Sequence, residues 1–366
     1  MSEAWSSTEG SFVNVLEKKF SERFNAKYAI AMNSGTSTLH AALEAIGVSP
    51  GDEILTPALT VFMDTSSIIH ANCVPVYVDV DENTFCMDVN KIEEKITNKT
   101  KAIIVVSLYG YPSDIEKIME ISNKYNLVVI EDNAQHPAEH RAHITSYSFE
   151  NTKHISCGEG GMVVTNNEEW ARKMRLFGNH GFRNSGANEG RTKLNLDIFQ
   201  SPLYERHSEI GWNYRMSEFQ AAVSLAQLER IDDLIKMRRD VAKMYKEIFD
   251  THDCFEIQKE HDDHTYWTFA VSSYFLDIDD LRKKILEQGG DRFYCCWQVP
   301  YMEPVMKGGR FKKRNPYIYR NINFEQGLCA EAEFLQKRIL QFKTNYRDIA
   351  EAREKINILK EVINNV

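Results

Sequence analysis

The chain has 366 residues, 43% of them hydrophobic and 27% charged, enough to bury a sizeable core and to hold one large domain plus a smaller one. Its formal net charge of -9 argues mildly against a nucleic-acid partner, and no apolar run reaches the length of a bilayer-spanning helix, so no membrane partner is expected. The seven cysteines, Cys73, Cys86, Cys157, Cys254, Cys295, Cys296 and Cys329, show no C-x-x-C spacing and fit free thiols in a reducing compartment. The opening stretch MSEAWSSTEGSFVNVLEKKF is polar and helix-like, without the apolar centre of a secretory leader, and the expected location is cytoplasmic.

In chain order, residues 11–24 place Phe12, Val13, Val15, Leu16, Phe20 and Phe24 roughly on one helical face. YAIAMNSGTSTLHAALEAIG reads as a short strand, a turn at Asn33–Gly35 and a helix ending at Gly47. DEILTPALTV is a further strand, followed by a helix through Ile68 and the alternating strand VPVYVDVD. KAIIVVSLYG is a continuous apolar run that suits a strand buried on both faces. A helix near Ile115–Lys124 leads into LVVIEDNAQ, a strand ending in acidic residues. This alternation predicts an α/β fold, a mostly parallel sheet between helices.

Further on, GGMVVTNN is a strand and EEWARKMRLFGNHG a helix stopped by Asn179 and Gly181. The long helical pattern from Met216 to Phe249, broken at most once, suits a spine between domains. YWTFAVSS and RFYCCWQV then read as strands of a smaller α+β domain closed by a C-terminal amphipathic helix. The expected division is a large domain over 1–240 and a small one over 241–366.

Three features carry chemistry. Ser34, Gly35 and Thr36 sit where a strand hands over to a helix, whose free N–H groups attract an anion; the same residues also read as an ordinary N-cap and turn. No Walker-type phosphate loop is present. Asp132 ends an apolar strand, where open α/β sheets bind ligands; it pairs with a cationic ring nitrogen or a metal, or caps the next helix. Lys153 follows the strand SYSF and precedes GEGG, and is either solvated or a desolvated Schiff-base nucleophile. Taken in that order, a phosphate cradle, a strand-end carboxylate and a fixed amine are the three contacts that pyridoxal 5'-phosphate requires.

Stretches including PGDEILTPALT, VPVYVDVDENTF, LYGYPSDI, VVIEDNAQ, SFENTK, GEGGMVVT and GNHGF appear in one order along nearly the whole chain. In these the sequence resembles the DegT/DnrJ-type sugar aminotransferases, fold-type-I pyridoxal-phosphate enzymes. The resemblance implies that Lys153 bonds the cofactor aldehyde and that Asp132 holds its ring nitrogen protonated. It places Gln135 near the ring and Gly35, Thr36 and Ser148, beside Ser34, on the phosphate, and Phe62 is the candidate for the aromatic that relatives hold against the cofactor one position earlier. Asn213 would reach the cofactor phosphate of a neighbouring subunit, which implies a homodimer with shared active sites.

The reaction implied is amino transfer from glutamate to a keto-sugar, nucleotide-linked or an oxidised octulosonate sugar acid, in surface-polysaccharide or natural-product biosynthesis. Dehydrating relatives carry histidine in place of the lysine; here Lys153 is retained and His154 follows it. A sugar dehydratase and a catalytically silent regulatory relative are the alternatives. Two departures from the family pattern stand out. The aromatic residue expected at Val61 comes one position later, at Phe62, and the segment between Gln135 and Ser148 is several residues short.

Three weaker signals complete the reading. His136, His140 and His143 lack a carboxylate partner or clear helix, so no metal is assigned. Cys295 and Cys296 should point to opposite faces of a strand. Lys307, Arg310, Lys312, Lys313, Arg314 and Arg320 surround a glycine turn, either as a solvated loop or as an anion site, and Arg183 and Arg215 are candidates for the donor carboxylates.

Overall fold

A computed structural model describes residues 11–188, 196–274, 277–322 and 324–365. Residues 1–10, half of the stretch read above as polar and leader-free, lie outside the described residues. Seven strands form the first sheet: β1 (Tyr28–Met32), β2 (Glu53–Pro57), β3 (Val74–Val78), β4 (Thr100–Val106), β5 (Val128–Asp132), β6 (Ile144–Ser148) and β7 (Gly161–Thr165). Their spatial order is β1-β7-β6-β5-β4-β2-β3, and only β7 runs against the rest. A strand central in a parallel sheet is shut off from water on both faces, and β4 is buried at every position but Lys101.

The helices α1 (Ser11–Arg23), α2 (Gly35–Ala45), α3 (Phe62–His70), α4 (Ile115–Tyr125) and α5 (Glu168–Gly178) pack on this sheet. Helix α2 carries alanine and leucine on several sides, so it reads as a buried helix, and Leu39, Ala41, Ala42 and Leu43 are all sealed from solvent. It ends at Ile46, and Gly47 turns the chain away at φ +76°, a conformation that costs glycine nothing. The side chains of Asp114 and Asn167 cap α4 and α5 by accepting from the first-turn N–H groups of Lys117 and Trp170.

The long helical pattern is indeed two helices, Glu218–Leu228 and Ile231–Phe249, with the break at Glu229–Arg230. Ser217 and Gln220 form a reciprocal capping box at the start of the first. The second spans residue 240, where the division between domains was expected. Beyond it, β8 (Phe255–Ile257), β9 (Thr268–Ser273), β10 (Tyr294–Cys295) and β11 (Ile339–Lys343) make an antiparallel sheet in the order β10-β11-β9-β8. The strand expected over RFYCCWQV shrinks to the two residues of β10; the Cys296 N–H still donates to Ile339 O at 3.0 Å, and the Cys296 side chain packs in the first core. Cys295 borders the second core and Cys296 is part of the first, so the neighbours do face opposite ways.

Two cores result. The first joins residues of the seven-stranded sheet, such as Ile54, Tyr77 and Ile104, to Val299, Tyr301, Met306 and Leu335 from late in the chain. The second lies under the antiparallel sheet and is aromatic: Tyr245, Phe249, Phe255, Phe269, Phe293, Phe342 and Tyr346. Among the described residues no helix is long and apolar enough to cross a membrane.

Candidate active site

Parallel strands deliver their carboxyl ends to one edge of a sheet, and that edge gathers the chemistry here. It carries Ser34–Thr36 after β1, Thr60–Asp64 after β2, Ser107–Tyr109 after β4, Asp132–Gln135 at β5 and Ser148–Lys153 after β6. Residues far apart in sequence thus meet in one place.

Between β6 and β7 the chain folds back on itself, with the Phe149 N–H donating to Gly160 O at 2.8 Å and the Cys157 N–H to Phe149 O at 3.0 Å. Lys153 lies in a turn of this connection, its N–H donating to Glu150 O at 3.0 Å. The side chain is not the solvated one of an exposed loop. Its Nζ sits 4.2 Å from the centre of the Trp267 ring, and Trp267 in turn donates from Nε1 to Thr152 O at 3.0 Å. Burial pushes the ammonium pKa below its ordinary value; Asp132, Glu150 and Asp64 oppose that shift, and the like charge of Arg238 adds to it.

Asp132 is buried at the end of β5 and does not cap a helix, because none follows it before β6. Its Oδ1 accepts only from the Ala134 N–H, at 3.0 Å, in a local turn. Beside it lies Asp64, from the first turn of α3, at 0% exposure. The Thr60 hydroxyl donates to Asp64 Oδ2 at 2.6 Å, while Oδ1 has no hydrogen-bond partner. The two carboxyls interact without reaching standard hydrogen-bond geometry. Burial, and then the neighbouring Asp132, raise the Asp64 pKa well above the ordinary 3.8. Burial also raises that of Asp132, but the Ala134 N–H, Lys153 and Asp64 all hold it back. Two adjacent buried carboxyls cannot both ionise cheaply; Asp64 is pushed well up, while at Asp132 the Ala134 N–H and the Lys153 charge oppose the rise.

On the other side of the edge, α2 points its N-terminus at the end of β6. Ser34 is the N-cap, its Oγ accepting from the Ser37 N–H at 3.1 Å, so this hydroxyl oxygen serves the helix. The N–H groups of Gly35 and Thr36 have no acceptor within the helix, as geometry requires of a first turn. Thr38 and Ser146 share a hydroxyl contact at 2.7 Å that holds α2 against β6. The approach is so close that a Cβ on Gly35 would lie 2.9 Å from Ser148 Cβ, and one on Gly161 would lie 2.6 Å from the Ser34 carbonyl carbon. Glycine at both positions lets the first turn of α2 lie close to Ser148, whose Oγ accepts from the Glu150 N–H at 3.3 Å.

The remaining expected residues are placed as follows. Gln135 is buried, its Oε1 accepting the Tyr109 N–H at 2.6 Å, which pins Tyr109 at φ +62°. Phe62 opens α3, half-buried against the first core, directly after the N-cap Val61. Asn213 is exposed, and its carbonyl accepts from Asn33 Nδ2 at 3.3 Å. His136, His140 and His143 turn to three different partners: Thr265 Oγ1, Thr145 Oγ1 and the Val129 N–H. His154 is buried and donates from Nε2 to Thr265 O at 3.0 Å, away from the role of Lys153.

Arg183 is exposed in an ion pair with Glu205 at 2.7 Å, and Arg215 donates to Asn179 Oδ1 at 2.9 Å. The basic stretch expected around a glycine turn is instead a run of short helices, Pro304–Gly308, Arg310–Arg314 and Pro316–Tyr319. Lys312 there donates to Ile322 O.

Three residues at the site escaped the sequence reading. Asp64 was hidden by its place in a helix, where an acidic first turn is routine. Trp267 read as a strand aromatic. Arg238 is one of two adjacent arginines on a charged helix, and nothing local says which one is buried.

Known proteins are similar to this chain in sequence and fold. The GDP-perosamine synthase of Escherichia coli O157:H7 is 38% identical over 277 residues, covering 73% of this chain and 71% of its own. The 3-oxo-glucose-6-phosphate:glutamate aminotransferase of Bacillus subtilis (strain 168) is 32% identical over 291 residues, 77% of this chain and 62% of its own. The crystal structure of ntda from Bacillus subtilis with the cofactor PMP bound superposes with a TM-score of 0.81 at 27% identity, over 98% of this chain and 78% of that one. Residues 1–336 match the model of the DegT/DnrJ/EryC1/StrS aminotransferase family, and the chain belongs to that family.

Proposed function

We propose that this chain is a pyridoxal-phosphate-dependent aminotransferase that moves nitrogen from glutamate to a keto-sugar, either nucleotide-linked or an octulosonate sugar acid. The observation that carries the reading is the meeting, at one sheet edge, of a desolvated lysine, a buried carboxylate and a helix N-terminus with open donors. This donor set fits the cofactor. The N–H groups of Gly35 and Thr36 and the Ser148 hydroxyl suit a phosphate, Asp132 a protonated ring nitrogen, and Lys153 an aldehyde. The names of the relatives in Escherichia coli and Bacillus subtilis support a sugar acceptor and glutamate as donor.

When bound, pyridoxal phosphate supplies the aldehyde that carries nitrogen and a ring that draws electron density from the donor carbon. The residues of the chain do the rest. Lys153 Nζ, whose ammonium form burial disfavours, would take the proton from the donor Cα and pass it to the cofactor side. Asp132, whose burial-raised pKa is held back by the Ala134 N–H, Lys153 and Asp64, would hold the ring-nitrogen proton in place. Phe62 and Gln135 border the same edge.

We assign a homodimer with shared sites. Leu203 and Ile210 are 89% and 95% exposed, and Trp212, Phe219 and Val223 are exposed with them. Such a patch beside Asn213 suits cover by a second copy of the chain. A reducing, cytoplasmic setting accords with seven cysteines, all of them free.

The test is an absorbance spectrum with added pyridoxal phosphate, before and after glutamate, on wild type and Lys153→Ala. Wild type should gain a visible band that glutamate discharges, and the variant should not form it. Absence of any such band in folded wild type overturns the reading.

A further inference from the structure

Arg238 lies in the helix Ile231–Phe249 with 5% of its surface exposed. A buried guanidinium normally has a carboxylate to offset its desolvation. Among the described residues Arg238 has none within ion-pair distance. Its partners are oxygens of three separate segments. Nη1 donates to Trp267 O at 2.8 Å and to Thr344 Oγ1 at 3.1 Å; Nη2 donates to Thr152 O at 3.1 Å and Lys153 O at 3.4 Å. Thr344 closes the arrangement by donating to Trp267 O at 2.8 Å, and the Trp267 indole donates to Thr152 O.

One planar fork therefore ties the backbone of the lysine turn to the beginning of β9 and the end of β11. Lys153 Nζ rests on the face of the same Trp267 whose carbonyl Arg238 holds. A lysine side chain has four rotatable bonds and a short turn has few contacts, so both ends of this side chain need an anchor.

We infer that Arg238 is the positioning residue of Lys153: its fork fixes the Thr152 and Lys153 carbonyls against the second sheet. The inference rests on the proposed role of Lys153, since a fixed amine matters only if it reacts. The groups whose charges act on Lys153 are Asp132, Asp64 and Glu150, which favour the ammonium, and Arg238, which disfavours it; His154 is buried neutral. Burial lowers the Arg238 pKa only to about 10, so it stays charged at neutral pH. Loss of the arginine removes a like charge, and the lysine should then hold its proton to higher pH.

The experiment is trace acylation of the full chain, stripped of cofactor, across a pH series, with the Lys153 peptide read by mass spectrometry. It is paired with titration of pyridoxal phosphate binding. Arg238→Gln should move the Lys153 midpoint upward and weaken cofactor binding about tenfold or more, the size expected for losing charged hydrogen bonds at a buried site. Arg238→Lys keeps the charge but not the fork: its midpoint should stay at the wild-type value while cofactor binding weakens about tenfold.

A merely structural arginine would lower the melting temperature of both variants and move neither the midpoint nor the affinity, and that result overturns the inference. If Arg238→Gln does not fold, wild-type cofactor affinity in Arg238→Lys overturns it equally. Because acylation needs no cofactor, a failure of the aminotransferase reading would leave the midpoints to report on Arg238 independently.

Discussion

The carboxyl edge of the first sheet and the core under the second both bury side chains, and they are built from opposite materials. Under the second sheet, Phe249 touches the rings of Phe255, Phe269 and Phe342, with centroids 4.8 to 5.8 Å apart, and the pairs meet at varied tilts. Every group there gains by leaving water. At the carboxyl edge the buried groups are Asp64, Asp132, Gln135, His136, His154 and the guanidinium of Arg238. Each costs free energy to bury, and several atoms remain without partners, among them Asp64 Oδ1, His136 Nε2 and His154 Nδ1. A protein that folds cooperatively uses the first kind of region to offset the second. The polar edge gathers the groups on which the proposed function rests, and the aromatic core supplies stability.

The comparison can be broken by substitutions that respect neither region's role. The largest effect is expected from Phe249→Ala, which should cost about 3–5 kcal/mol in chemical denaturation. Below its melting temperature it should leave the visible cofactor band intact; a lost band in folded protein would mean that the two regions are not separable. Gly35→Ala should show an intermediate effect on stability, about 1–3 kcal/mol, because the new methyl presses on Ser148 where the helix meets the strand. Unlike Phe249→Ala, it should weaken pyridoxal phosphate binding beyond what its stability loss explains, and unchanged affinity would remove the α2 N-terminus from the site.

The smallest effect is expected from Asp64→Asn, and it lies in a slope. The folded-state pKa of Asp64 is raised, so folding binds a proton, and its contribution is fully present below the unfolded value and declines as pH climbs through the folded one. Stability of wild type should therefore fall more steeply than that of Asp64→Asn as pH rises from about 4 towards neutrality. Parallel stability curves, measured by denaturant titration at several pH values, would show that Asp64 does not hold the proton.

Much of this was legible in the chain. Most strands of the first sheet announce themselves as apolar or alternating runs, and KAIIVV reads as doubly buried because nothing polar interrupts it. Lys153, Asp132 and the Ser34–Thr36 turn could be picked out because their local settings are distinctive: a strand end, a glycine-rich flank, a strand-to-helix handover. Partnerships were not legible. Asp64 sits two helical residues after the expected aromatic Phe62, and only the strand order, with β4 between β2 and β5, brings it to Asp132. Arg238 and Arg239 are indistinguishable by local pattern, yet one anchors the lysine turn and the other donates to His264 O. The strand expected at RFYCCWQV was overcalled because its apolar residues serve two cores at once.

Local periodicity and capping are properties of neighbouring residues, so the sequence by itself determined the elements, their alternation, and the amine, carboxylate and open helix end that invite a phosphorylated aldehyde. What surrounds that amine was decided only by tertiary structure. The carboxyl pair, the tryptophan face and the arginine fork come from segments up to a hundred or more residues apart, and their energies depend on desolvation, which exists only once the sheets have closed over them.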